Sequence, residues 1–269
     1  MGINILATET LEAISIFTCL IFLVIASIQD FKTRTVHDLT WILMGTIGII
    51  LARLRYRFMP LKEFLFMEFI AVVIPGTIVL LLVLLKLIGE AELPAFICIA
   101  AFFPQVPSIA PGKYPWLFKT LTIALPTLTN MLFLLVIVMI IIMLSNLIRL
   151  LKGEESYFSQ LNLSSFQKCM LIIGGILVDI DKVKQNPFYV PLLEVKENKI
   201  CLREASFKIE DIENREELLS KLDKAGFKKV WVTVAIPLMP LITIGFLLSL
   251  FFDILLVAVE LLRRIMMVV

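Results

Sequence analysis

The length of its apolar runs constrains this chain more than any other feature. Residues 121–148 contain no Asp, Glu, Lys or Arg, and a helix needs only about 20 predominantly apolar residues to cross a bilayer. The excess of apolar residues is general: 59% of the 269 residues are hydrophobic, 18% are charged and the mean hydropathy is +0.97. Soluble domains run at roughly 45–50% apolar. The chain therefore reads as a polytopic membrane protein with the lipid bilayer as its solvent. Its net charge of +2 gives no basis for binding nucleic acid.

Six spans are expected, at residues 6–29, 39–54, 64–87, 93–103, 121–148 and 234–252. The fourth is short and bounded by proline, so it either extends through 105–109 or ends among its neighbours. The last apolar stretch, 234–262, is too long for one crossing, at about 43 Å of helix against a hydrocarbon core of roughly 30 Å. Asp253 interrupts it and marks the expected end of the span; the alternative reading makes Asp253 a third functional carboxylate. Beyond it, 254–269 is expected to run along the surface with Arg263 and Arg264 at headgroup level.

The expected fold is an all-α membrane protein of six transmembrane helices with a small α+β soluble lobe inserted before the last helix. Residues 1–149 form the membrane domain, 150–230 the lobe, and 231–269 the last helix with its interfacial tail. The lobe holds 13 basic and 13 acidic residues. Within it, 214–225 reads as an amphipathic helix capped by Asn214 and ended by Gly226. Residues 192–195 and 200–202 flank a polar tetrapeptide as a hairpin, and 227–234 reads as extended. The four cysteines show neither a disulfide framework nor a zinc spacing and read as buried packing residues. No cofactor or metal is expected; His37 is the only histidine.

The first Lys or Arg is Lys32, so the first run reads as a retained helix rather than a cleaved signal. Lys32 and Arg34 after that run place the N-terminus outside, whereas Arg53, Arg55, Arg57 and Lys62 in the second loop argue the reverse. The first helix is given the greater weight.

Two acidic positions stand where apolar runs stop. Asp30 opens the string Asp30-Phe31-Lys32-Thr33-Arg34-Thr35-Val36-His37-Asp38, and Glu92 closes Gly89-Glu90-Ala91-Glu92. Counting spans puts both at the same membrane face, whichever way the chain is inserted. Interfacial carboxylates are costly and mark functional sites. Two brought together can share one proton, because like charges a few ångström apart cannot both ionise. Such a pair can activate water and protonate a carbonyl. Gly89 and Ala91 are small enough to admit a close backbone. Bland readings stand beside these: Asp30 as a helix-end residue paired with Lys32 or Arg34, Glu92 as a first-turn acid, Asp38 as the N-cap of the second span.

The segment Ala26-Ser27-Ile28-Gln29-Asp30-Phe31-Lys32-Thr33-Arg34-Thr35-Val36 resembles the first active-site segment of archaeal preflagellin and prepilin peptidases, aspartic membrane proteases of the GxGD class related to type IV prepilin peptidases. Gly89-Glu90-Ala91-Glu92 falls where their second motif belongs. Val230-Trp231-Val232-Thr233 and Ile236-Pro237-Leu238 are similar as well. The N-terminal four-cysteine zinc module of the bacterial relatives is missing, which points to the archaeal branch. The resemblance implies an endopeptidase at the cytoplasmic face of the cell membrane. It would remove the short basic class III-type leader from archaellin or pilin precursors, with Asp30 and Glu92 catalytic and Gly89, Ala91, Lys32 and Arg34 in support. Lys32 and Arg34 either orient substrate or meet lipid phosphate.

One departure stands out. The family has Asp where this chain has Glu92, and commonly Lys where it has Pro94. The extra methylene moves the carboxyl by about 1 Å, a displacement that can cost on the order of 100-fold in rate. Glu92 is thus a working variant, the mark of an inactive relative, or a deliberate substitution. The alternative from another class is an inactive scaffold that binds pilin-like helices; a proton-relaying transporter finds no internal inverted repeat in its support.

Overall fold

A computed structural model describes residues 2–85, 87–109, 121–154, 164–186, 188–196, 199–202, 215–224, 226–234, 236–254, 257, 263 and 264. The chain divides into two compact units, 1–135 with 237–269, and 136–236.

In the first unit, α1 (Gly2–Thr33) buries one stripe: Glu12, Ser15, Cys19, Leu23, Ala26 and Asp30. Spacings of three and four residues put these on one helical face. The helix ends where Arg34 takes a left-handed conformation, φ 58°, and its N–H donates to the Asp30 carbonyl. A non-glycine residue in that region carries strain. Gln29 Oε1 braces the turn by accepting from the His37 N–H and the Thr40 hydroxyl. The next helix, α2 (Asp38–Arg55), has His37 as its N-cap with no side-chain cap. Asp38 is therefore not the cap expected of it; it lies one residue inside, where its charge meets the positive end of the helix.

After α3 (Leu61–Leu84) comes α4 (Glu92–Phe102). Eight of its eleven residues are buried, which makes it the central helix of the unit, packed against α2 and α3. Pro94 sits in its first turn, where a missing N–H is harmless. Irregular backbone follows α4, with Phe103, Pro104 and Pro107 buried. Such backbone is tolerated at membrane depth only inside protein. Here Arg55 donates to the Phe102 carbonyl and the Val106 N–H to the Leu121 carbonyl. The start of α5 (Ala124–Arg149) and α9 (Leu238–Ser249) complete the unit.

Among the described residues, three helices are long and apolar enough to cross a bilayer: Thr8–Thr33, Leu61–Leu84 and Ala124–Lys152. Only 28%, 17% and 11% of their apolar windows are buried within the protein, so most of their surface needs a non-aqueous neighbour, and they fit a membrane protein. The other three expected spans are shorter or more charged. α2 carries Asp38, Arg53 and Arg55 in its 18 residues, and α4 and α9 have only 11 and 12 residues.

The second unit contains the end of α5, a π-helical segment Leu150–Glu154, and α6 (Ser165–Gly174). Then follow β1 (Ile176–Asp179), α7 (Ile180–Gln185), β2 (Tyr189–Pro191), β3 (Leu193–Lys196), β4 (Lys199–Leu202), α8 (Arg215–Lys224) and β5 (Lys229–Val234). β5 lies between β1 and β2, antiparallel to both. β3 and β4 form the expected hairpin. Leu171, Val183, Leu222, Val230 and Val232 are central in its core. Gly226, φ +80°, ends α8 as expected: its N–H and that of Phe227 donate back to the Asp223 and Leu222 carbonyls, the closure that favours glycine. Asn214 and most of the 254–269 tail lie outside the described residues. α6 was not foreseen, although its capping box is written in the sequence: Ser164 and Gln167 bond reciprocally ahead of an apolar run.

Candidate active site

Asp30 is 9% exposed, and its Oδ2 accepts the Met239 N–H at 3.0 Å. That N–H belongs to the first turn of α9, whose N-cap, Pro237, offers no side-chain acceptor. The first turn of a helix has N–H groups without internal partners and a partial positive charge. A carboxylate on α1 thus does the capping that the local sequence of α9 does not. One turn further into the α1–α9 seam, the Ser27 and Thr243 hydroxyls meet at 2.8 Å. The Thr243 hydroxyl also lies 2.9 Å from the Met239 carbonyl and 3.2 Å from that of Leu23.

Glu92 is the first residue of α4 and is 6% exposed. Its Oε2 is buried without a hydrogen-bond partner. The Asp30 charge acts on Glu92, and α1 and α4 belong to the same compact unit. Gly89 has a specific spatial reason to be glycine: a Cβ there would stand 2.7 Å from Glu92 Oε2. Ala91 is the N-cap of α4 and contributes no capping bond.

The remaining predicted residues divide. The Arg34 charge acts on Asp30, with its side chain half-buried. Lys32, His37 and Glu90 are exposed. Asp253 is not a third carboxylate of this site. It is buried and accepts from the Thr129 hydroxyl, beyond the far end of α9 and separated from the Asp30 end by about 18 Å of helix. Cys169 is exposed, contrary to the packing role expected of the cysteines, whereas Cys19 and Cys98 are buried.

A second polar cluster was missed. Glu12, Arg55 and Glu68 are all buried, and Glu12 lies about 27 Å along α1 from Asp30, at 1.5 Å per residue. Glu12 Oε2 accepts from the Ser108 hydroxyl and the Ile109 N–H. Arg55 caps the Phe102 carbonyl, with its guanidinium 5.0 Å from the Phe103 ring. Both Glu68 oxygens are buried without hydrogen-bond partners, and the Arg55 charge acts on them. The signal was available: Glu12 and Glu68 are acids inside apolar runs, and intramembrane acids mark partners in the fold.

Residues 167–254 match the family model described as Archaeal Peptidase A24 C-terminus Type II. This match supports a relationship to the prepilin and preflagellin peptidases. It runs from α6 to just past α9 and includes Met239, whose N–H holds Asp30. The carboxylate pair itself lies outside the matched stretch. No curated protein matches the chain.

Proposed function

We propose that this chain is an aspartic-type endopeptidase of the membrane interface that removes the basic leader from archaellin or type IV pilin-like precursors. The observation that carries the reading is that Asp30 and Glu92 are both buried and act on each other electrostatically, with Asp30 seated on the helix that ends the A24-matched segment. One carboxylate, ionised, takes a proton from water. The other, protonated, donates to the scissile carbonyl while that water attacks. Titration would belong to the pair. Gly89-Glu90-Ala91-Glu92 takes the place of the GxGD motif, with Gly89 leaving room for the longer glutamate.

Six crossings are part of the proposal, with α2, α4 and α9 completing the three longer spans, and so is a cytoplasmic site. Arg53 donates to the Tyr56 and Met59 carbonyls, and Arg55 to that of Phe102. Arg55 thus serves the buried end of α4 and Arg53 the turn after its own helix, while Arg57 and Lys62 are exposed. The first helix, followed by Lys32 and Arg34, is given the greater weight, and the proposal puts Asp30 at the cytoplasmic face.

Glu92 also favours a second reading, an inactive relative that binds pilin-like helices. Cleavage of an archaellin or pilin precursor in detergent by the chain and by Glu92→Asp separates the two. Cutting by both makes Glu92 a working carboxylate. Cutting by Glu92→Asp alone makes this chain a disabled protease, and cutting by neither leaves the scaffold.

A further inference from the structure

The depth of α6 is set by the span before it. The apolar helix Ala124–Lys152 has 29 residues, or about 43 Å, longer than a hydrocarbon core of roughly 30 Å, and Asn146, Arg149 and Lys152 make its last turns the part suited to headgroup level. Two side chains of those turns hold the lobe. Asn146 donates to the Ile172 carbonyl at 2.8 Å and the Gly175 carbonyl at 2.6 Å, and Arg149 donates to the Leu177 carbonyl at 2.6 Å. The C-terminal carbonyls of α6 are thus satisfied by a membrane-spanning helix, within about 9 Å of where that helix ends.

At that depth α6 is two-faced. Leu171 is buried in the lobe, while Phe166 is 71% and Met170 55% exposed, one turn apart on the outer side. On α5, Ile141, Leu144 and Ile148 are exposed on one face leading to Leu151, 88% exposed, and Lys152. The span and the helix fastened to it therefore both expose apolar side chains. Arg149, Lys152 and Lys168 are the charges within 136–152 and 164–178, and the next acids along the chain are Glu154 and Asp179.

We propose that α6 is an interfacial anchor, lying in the headgroup region with Phe166 and Met170 inserted among lipid chains and Lys152 and Lys168 facing anionic headgroups. Exposed apolar side chains and adjacent cations at this level are what an anionic bilayer surface takes up. The anchor holds the lobe against the membrane whether or not the chain is catalytic.

Cys169, exposed on α6, gives the test. An environment-sensitive fluorophore is placed there in full-length protein carrying Cys201→Ser, reconstituted in nanodiscs with or without about one-third anionic lipid. The expected result is quenching by headgroup-level doxyl lipid, with protection from aqueous iodide. Phe166→Asp/Met170→Asp should reverse that pattern. Lys152→Gln and Lys168→Gln should each lower the anionic-lipid preference of the docked state about fivefold. Far-ultraviolet circular dichroism confirms that each variant keeps its fold, and Phe166→Ser/Met170→Ser replaces the aspartates if they unfold the lobe. Iodide quenching equal in all discs would overturn the proposal. So would protection that arises only when a pilin-like precursor is added, which would assign the face to a protein.

Discussion

Replacing Gly89 by Ala tests the site at its tightest point. The added Cβ would stand 2.7 Å from Glu92 Oε2, and that contact must open to about 3.4 Å to become ordinary, a shift of about 0.7 Å. The obstructing atom is the free end of a side chain, so the carboxyl yields rather than the backbone. Gly89 does not have positive φ, so alanine is conformationally acceptable there and lowers unfolded-state entropy, worth about 0.4–1 kcal/mol in favour of folding. Stability should hold or rise slightly. Activity should not: a misplacement of about 1 Å can cost about 100-fold, so 0.7 Å predicts a loss of roughly 10- to 50-fold in kcat/KM. The cause is checked by a double-mutant cycle. In Glu92→Asp the carboxyl is withdrawn by one methylene, and Gly89→Ala should then cost at least about fivefold less. The assay is precursor cleavage in nanodiscs by the four proteins, with melting temperatures in parallel. An equal penalty in both backgrounds would refute the steric argument, and a fall of several degrees in melting temperature would show that Glu92 cannot yield.

Asp30→Asn keeps an oxygen for the Met239 N–H and should preserve folding while abolishing cleavage; Asp38→Asn should leave cleavage unchanged, and retained activity in Asp30→Asn would remove its catalytic assignment. Arg55→Met strips the cation from Glu68 and the cap from the Phe102 carbonyl, and should destabilise by about 3–5 kcal/mol, with Glu68→Met restoring part of the loss in chemical denaturation. Gly245→Ala should cost about 1–3 kcal/mol in the same assay, because its Cβ would meet backbone, the Thr127 carbonyl at 2.9 Å and the Met131 nitrogen at 3.1 Å. In the lobe, the hydrogen bond to Asp223 raises the Lys184 pKa above the ordinary lysine value. A raised folded pKa gives stability that is full below the unfolded value, about 10.4, and is lost as pH rises through the folded one. Alkaline titration of lobe melting should therefore be flatter in Lys184→Met than in the parent chain.

Much of this protein was set by local pattern. Apolar run length marked three helices long and apolar enough to cross a bilayer, and turn chemistry fixed the β3–β4 hairpin and the Gly226 end of α8. The position of Asp30 and Glu92 at the ends of apolar runs was enough to nominate them. What no local pattern carries is which side chain satisfies which distant backbone. Asp30 reaches across 209 residues to cap α9, and Arg55 reaches across 47 to cap the end of α4. Each of these two short helices has one end satisfied from a distant helix. A helix end inside the protein needs partners for its free N–H or carbonyl groups, and those partners come from whichever helix packs beside it. The arginines of the second loop divide in the same way: Arg55 is buried and Arg57 is exposed. Their number is in the sequence, but whether they meet lipid headgroups or buried carbonyls is decided by packing.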